Sequence, residues 1–185
     1  MTSTDTTSYH PFSKLLHWVT AAFWIAAWPI GFIAVHFRDE WNPDHGLTIL
    51  HKAIASIIIF LTLLRIVWRL THRPPPLPAT MSPSMQRAAH LGHVGLYALA
   101  LVALPLSGWL WSSVADKPIM MLGLFQLPPL TSPMPEYYDL AKLVHQWLSW
   151  VVGIMVVGHI VLAFKHHFVD RDSALTGMLP KGRGR

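Results

Sequence analysis

The chain has 185 residues, among them 12 histidines and no cysteine. Without a thiolate there is no disulfide, Fe–S cluster, Cys-bound zinc or C-x-x-C-H haem attachment. Any redox centre must be held non-covalently, and the abundant imidazole is the first candidate ligand for it. His17, His51, His90, His93, His145 and His159 lie in, or at the mouths of, long apolar stretches. One ring in such a place is usually an interhelical hydrogen bonder; a set at matched depths is more informative. His145 and His159 are 14 residues apart. At about 100° and 1.5 Å per residue they share a helix face to within about 40° and stand about 21 Å apart along the axis. One helix thus offers two imidazoles to a bundle interior, near its two ends. A haem iron takes axial ligands from both sides of its ring, so each needs a partner from another helix.

The elements that must position these rings are four apolar blocks. The chain is 52% hydrophobic and only 12% charged, with 9 Trp and a mean hydropathy of +0.40. Blocks at about 15–36, 47–68, 92–111 and 143–164 each match a hydrocarbon core of about 30 Å. Backbone groups in lipid must be satisfied internally, so these blocks are helices. The expected fold is all-α, an integral membrane four-helix bundle, organised as a flexible N-terminal tail (1–14), a transmembrane domain (15–168) and a basic C-terminal tail (169–185). Lys14 and the apolar run after it resemble a signal peptide only superficially. The run is too long, no A-x-A-like site follows, and His17 lies inside it.

Basic residues give the topology. Lys14, Arg65, Arg69, Arg73, Arg87, Lys165, Arg171, Lys181, Arg183 and Arg185 fall on the side of the termini, against Arg38, Lys52, Lys117 and Lys142 on the other. This positive-inside bias places both termini in the cytoplasm. It also accounts for the net charge of +5 without nucleic acid as a partner, because no contiguous basic face exists. Pro74, Pro75, Pro76 and Pro78 stiffen the 65–91 connection, and the apolar stretch 120–127 is expected along the membrane surface, as a lid or an interfacial plug.

With this topology, the first span places His17 at the cytoplasmic level with His159, and the second places His51 at the outer level with His145. Two bis-His pairs follow, for two b-type haems. His93 lies at the same level as His17, and depth does not separate them; His90 shares its face at i, i+3. His36 and His45 read as loop residues at the outer mouth. Gly153, Gly158, Gly92 and Gly95 are small positions that would let a flat macrocycle approach, although such residues are common at membrane helix contacts.

The sequence resembles the bacterial cytochrome b561 family over roughly residues 10–180. The resemblance is carried by Lys14-Leu15-Leu16-His17-Trp18, the His51 region, Ala89-His90-Leu91-Gly92-His93, Ala103-Leu104-Pro105-Leu106-Ser107-Gly108, Lys142-Leu143-Val144-His145, Gly158-His159 and His166-His167-Phe168. It implies a di-haem protein of the bacterial inner membrane, with His17 rather than His93 as the ligand. It further implies oxidation of superoxide at the periplasmic face and reduction of ubiquinone. The alternative is a cytochrome subunit passing electrons between quinone and a redox partner protein. A third reading, from another class, is a haem-free transporter or assembly factor. Superoxide is an anion, so Lys142, Lys52 and Arg38 are the candidates that would draw it to the outer haem. His166, seven residues beyond His159, and Arg69 are the candidates for ubiquinone.

Overall fold

The computed structural model describes residues 8–78 and 80–180. Among these residues four helices are long and apolar enough to cross a membrane: Pro11–His36, Gly46–Thr71, Pro83–Val114 and Pro135–Asp170. We call them the first to fourth spans. The shortest have 26 residues, about 39 Å of helix at 1.5 Å per residue, which exceeds the hydrocarbon core. The fold is the expected all-α membrane bundle. Its outward surface is apolar, with residues such as Leu70 and Ile154 well exposed, as a lipid-facing surface should be.

The first span starts at Pro11, so residues 11–14 of the expected tail form its first turn. Pro11 needs no N–H there, and His10 Nδ1 accepts the Phe12 amide at 3.2 Å. Residues 171–180, expected as part of a basic tail, fold back onto this turn. The Tyr9 amide donates to the Gly177 carbonyl at 3.1 Å, and Trp18 Nε1 to that of Met178 at 2.9 Å. Lys14, although buried, gives its ammonium to Ser8 Oγ and the Leu179 carbonyl at 2.9 and 2.8 Å. The two ends of the described chain therefore meet at one end of the bundle, as an even number of spans requires. Residues 1–7 of the expected tail, and Lys181, Arg183 and Arg185, lie outside the described residues.

At the opposite end, Asn42 ties the first two spans together. Its Nδ2 donates to the Ala34 carbonyl at 3.1 Å and to Thr48 Oγ1 at 2.8 Å, and its Oδ1 accepts the Leu47 amide at 2.9 Å. The 112–142 loop holds a hairpin, Met120–Met121 paired antiparallel with Phe125–Gln126. The hairpin packs on the second span, with Phe125 against Phe60 at 6.2 Å between ring centres. The stretch expected to lie on the membrane surface thus forms its own two-stranded element.

The third span changes pitch midway, running as π-helix over Leu96–Ala103. Pro105 explains this: its ring would crowd the Leu101 carbonyl four residues back, and it has no N–H to give it. The wider turn relieves the crowding, and Thr62 Oγ1 of the second span donates to that carbonyl at 3.2 Å. Close by, Ala100, Leu104 and Val152 form the buried core, with Trp24, Leu96, Leu99, Leu148 and Val156 packed around them. Val152 lies seven residues from both His145 and His159 and is fully buried. The core is therefore an apolar plug midway between the two histidine levels. Replacing Thr62 by Val should strand the Leu101 carbonyl and cost about 1–3 kcal/mol. Thermal melting in detergent should show the loss, whereas Thr62→Ser should melt like the unmodified chain.

Candidate metal centres at two levels of the bundle

A buried imidazole can bind a metal ion through one nitrogen when the other is held as a hydrogen-bond donor. Near the loop end of the bundle, His51 of the second span faces His145 of the fourth with ring centres 6.3 Å apart. Near the end that holds the termini, His17 of the first span and His159 of the fourth are also 6.3 Å apart. Two imidazole nitrogens each about 2.0 Å from a shared ion, and each about 1.1 Å from its own ring centre, put the ring centres about 6.2 Å apart. Both pairs have the spacing that one metal ion between two rings requires.

Hydrogen bonds fix the tautomers at the loop level. His51 Nδ1 lies 2.8 Å from the Ala27 carbonyl, which can only accept, so Nδ1 carries the proton and Nε2 has a free lone pair. Ser107 Oγ donates to the Leu104 carbonyl at 2.8 Å, so its lone pair accepts from His145 Nδ1 at 2.9 Å. His145 is thereby left with a free Nε2 as well. Glycine backbones sit against both rings. A Cβ at Gly31 would meet His51 Cε1 and Nδ1 at 2.7 Å, and one at Gly108 would meet His145 Cε1 at 2.9 Å.

These two glycines differ from those singled out in the sequence. A Cβ at Gly153 would meet the Trp28 indole and one at Gly95 the Met155 methyl, while at Gly92 and Gly158 no atom lies within 4 Å. Gly108 was within reach of sequence reasoning, because it closes the Leu106-Ser107-Gly108 motif. Nothing in the sequence marks Gly31, which acts on a histidine of a different span.

At the terminal level, Arg65 lies within electrostatic reach of both His17 and His159. Its guanidinium donates to the Tyr97 hydroxyl at 3.0 Å and sits 5.2 Å from that ring centre. His93 is the third ring here, 5.6 Å from His159, short of the 6.3 Å of the other two pairs. It is exposed, and its Nδ1 donates to the Ala89 carbonyl at 2.6 Å.

The remaining candidates are scattered. Lys52, next to His51, donates to the Lys117 carbonyl at 3.3 Å, bringing the two lysine segments together at the loop end. Lys142 is half-buried one helical turn before His145. Arg38 is exposed in the first loop, where it lies 3.2 Å from His45 Nε2. His166 Nδ1 is 2.7 Å from Asp172 and 3.1 Å from Asp170, and Lys165 also binds Asp170. Arg69 lines a separate cavity of about 530 Å³ with Tyr9, His10, His72 and Arg73; His166 is not among its lining residues. The structure therefore does not bring the two quinone candidates into one cavity.

Comparison with known proteins gives the family. The family model described as prokaryotic cytochrome b561 matches residues 8–181. The chain belongs to the prokaryotic cytochrome b561 family. It is 35% identical to cytochrome b561 homolog 2 of Escherichia coli (strain K12), over 94% of this chain and 92% of that protein. It is 27% identical to the probable superoxide oxidase CybB of Yersinia pestis, over 91% and 94% of the two chains. It is also 27% identical to cytochrome b561 homolog 1 of E. coli, over 90% and 93%. As a cytochrome b561, the chain is a multi-pass bacterial inner-membrane protein of electron transfer, in a family that carries haem b. The ring spacing at both levels, and at the loop level the free Nε2 atoms and the glycine backing, are features that suit haem iron.

Adding a methyl at Gly108 or Gly31 should displace the ring it touches. Gly108→Ala and Gly31→Ala are expected to lower haem per chain without abolishing it, measured by pyridine haemochrome. Gly46→Ala, with no atom within 4 Å of its Cβ position, should leave the content unchanged.

Proposed function

We propose that the chain carries single electrons across the inner membrane through two haem b groups, one on His51 and His145 and one on His17 and His159. It takes them from superoxide at the loop, periplasmic end and delivers them to ubiquinone at the terminal, cytoplasmic end. The observation that carries this reading is the pair of ring separations, both 6.3 Å, at opposite ends of one bundle and joined by one helix. The relative named a probable superoxide oxidase and the basic bias of the terminal side support the substrate and the direction.

The haem irons, when bound, supply one-electron Fe(III)/Fe(II) chemistry. The polypeptide does the rest. Ala27 and Ser107 hold the loop-level rings in one tautomer, and Gly31 and Gly108 give those rings room. Around the Val152 plug the interior is apolar, which excludes water between the two levels. Lys52, adjoining His51, and Lys142, one turn before His145, put positive charge locally beside the outer pair, within a loop end where Asp39, Glu40, Asp44, Asp116, Glu136 and Asp139 outnumber the basic residues. Those two ammonium groups, rather than the end as a whole, would draw a small anion. Superoxide gives up one electron and leaves as neutral dioxygen, which that field does not hold. Two such electrons and two protons from the cytoplasmic side convert one ubiquinone to ubiquinol. His166, held at Nδ1 by Asp172, is one place for the quinone head, where Nε2 gives a quinone oxygen a hydrogen bond only when it too carries a proton. Arg69, in its own cavity, is the alternative place for the quinone head.

Two tests apply. A dithionite-minus-oxidised spectrum of the purified chain should show a b-type α-band, with two haems per chain, and a colourless preparation would end the proposal. Superoxide generated enzymatically should then drive ubiquinone reduction by the isolated chain. Haem that reduces without such turnover would point to a subunit serving a separate redox protein. The double variant Lys52→Glu, Lys142→Glu should slow haem reduction by superoxide in stopped flow by about tenfold or more at low ionic strength, with haem content unchanged. Equal rates would remove these lysines from the mechanism.

A further inference from the structure

Buried indole N–H groups almost always find an acceptor. In this chain Trp18, Trp28, Trp68 and Trp109 each donate through Nε1, at 2.8 to 2.9 Å, to Met178, Ser149, Ser13 and Pro128 respectively. Trp111 differs. Its Nε1 is buried and, among the described residues, is the one such side-chain atom recorded without a hydrogen-bond partner. Its ring centre lies 5.8 Å from that of His145, with the planes at 40°, and 6.0 Å from Tyr138. The unpaired donor is thus next to the loop-level pair, where a bound group brings new acceptors.

We infer that Trp111 Nε1–H donates a hydrogen bond to a propionate carboxylate of the haem held by His51 and His145, and so raises that haem's reduction potential. The inference rests on the ligation proposed above. The rim of a b-type haem carries methyl and vinyl groups, which accept no hydrogen bond of consequence, and two propionates, which accept strongly when ionised. A carboxylate near the iron favours Fe(III), and an N–H that disperses its charge weakens that preference. The loop-level haem then takes an electron from superoxide more readily. Trp111 is a positioning and tuning residue; it ligates nothing.

The test is a redox titration of purified holoprotein, unmodified and Trp111→Phe, with the loop-level component assigned as the one lost in His51→Ala. Phenylalanine keeps an aromatic ring and removes the N–H. Both proteins should hold two haems, and the loop-level reduction constant should fall about tenfold, a potential about 59 mV lower for one electron. The other haem should titrate unchanged. Trp111→Gln, which restores a side-chain N–H, should recover most of the shift. Reconstitution with haem dimethyl ester, whose side chains carry no charge, should largely erase the difference between Trp and Phe.

Equal potentials in the two proteins, or an undiminished difference with the ester, would overturn the inference. If Trp111→Phe loses the loop-level haem, retention by Trp111→Gln supports it. Loss from both assigns Trp111 a packing role only and overturns it. Fewer than two haems in the unmodified protein would instead be a failure of the ligation reading.

Discussion

A neutral imidazole has one nitrogen that donates and one that accepts, and in hydrocarbon no water is available to satisfy either. In a bundle this narrow, that constraint organises the interior. At the loop level the donor half is met by the Ala27 carbonyl for His51 and by Ser107 for His145. The acceptor half is left facing a partner ring at the distance of a shared ion. Each device depends on the spans being in register. Gly31 places the first span against the ring of His51, and Gly108 places the third against that of His145. The two rings are therefore positioned by all four spans, although only the second and fourth carry them.

The same economy explains the third span. A proline in a membrane helix strands a carbonyl, and here the second span answers with Thr62. The π segment ahead of Pro105 ends where Leu104 enters the buried core. Leu104 also supplies the carbonyl that accepts from Ser107, so the irregular stretch leads directly into the support for His145. An ideal helix through 96–104 would rotate Ser107 and Gly108 relative to the fourth span.

Much of this was legible in the residues alone. Four apolar blocks of span length, the 14-residue interval on the fourth, and up-and-down threading suffice to bring His17 to the level of His159 and His51 to that of His145. Depth is fixed by helical rise, which depends little on neighbours. What sequence did not reveal depends on which faces meet. Gly31 could not be distinguished from other membrane glycines, because its significance lies in a ring on another span. Residues 171–180 looked like a basic tail since their ties to Tyr9, Lys14 and Trp18 run largely through backbone carbonyls, which carry no side-chain signature. His166 and Arg69 match in level and chemistry, yet a helix end can turn either way. His166 turns toward Asp172 while Arg69 faces its own cavity.

The plug around Val152 also has an electrical meaning. Electrons tunnel through packed hydrocarbon side chains, whereas protons need a chain of water or polar groups to follow them. Charge moved between the two histidine levels, about 21 Å of helical rise, therefore crosses uncompensated, over some two thirds of a hydrocarbon core about 30 Å thick. In the proposed direction a negative charge travels toward the negatively polarised side of an energised membrane. Moving it across the whole potential would cost about 2.3 kcal/mol per 100 mV, so a cell's own voltage would act as a brake on the proposed turnover.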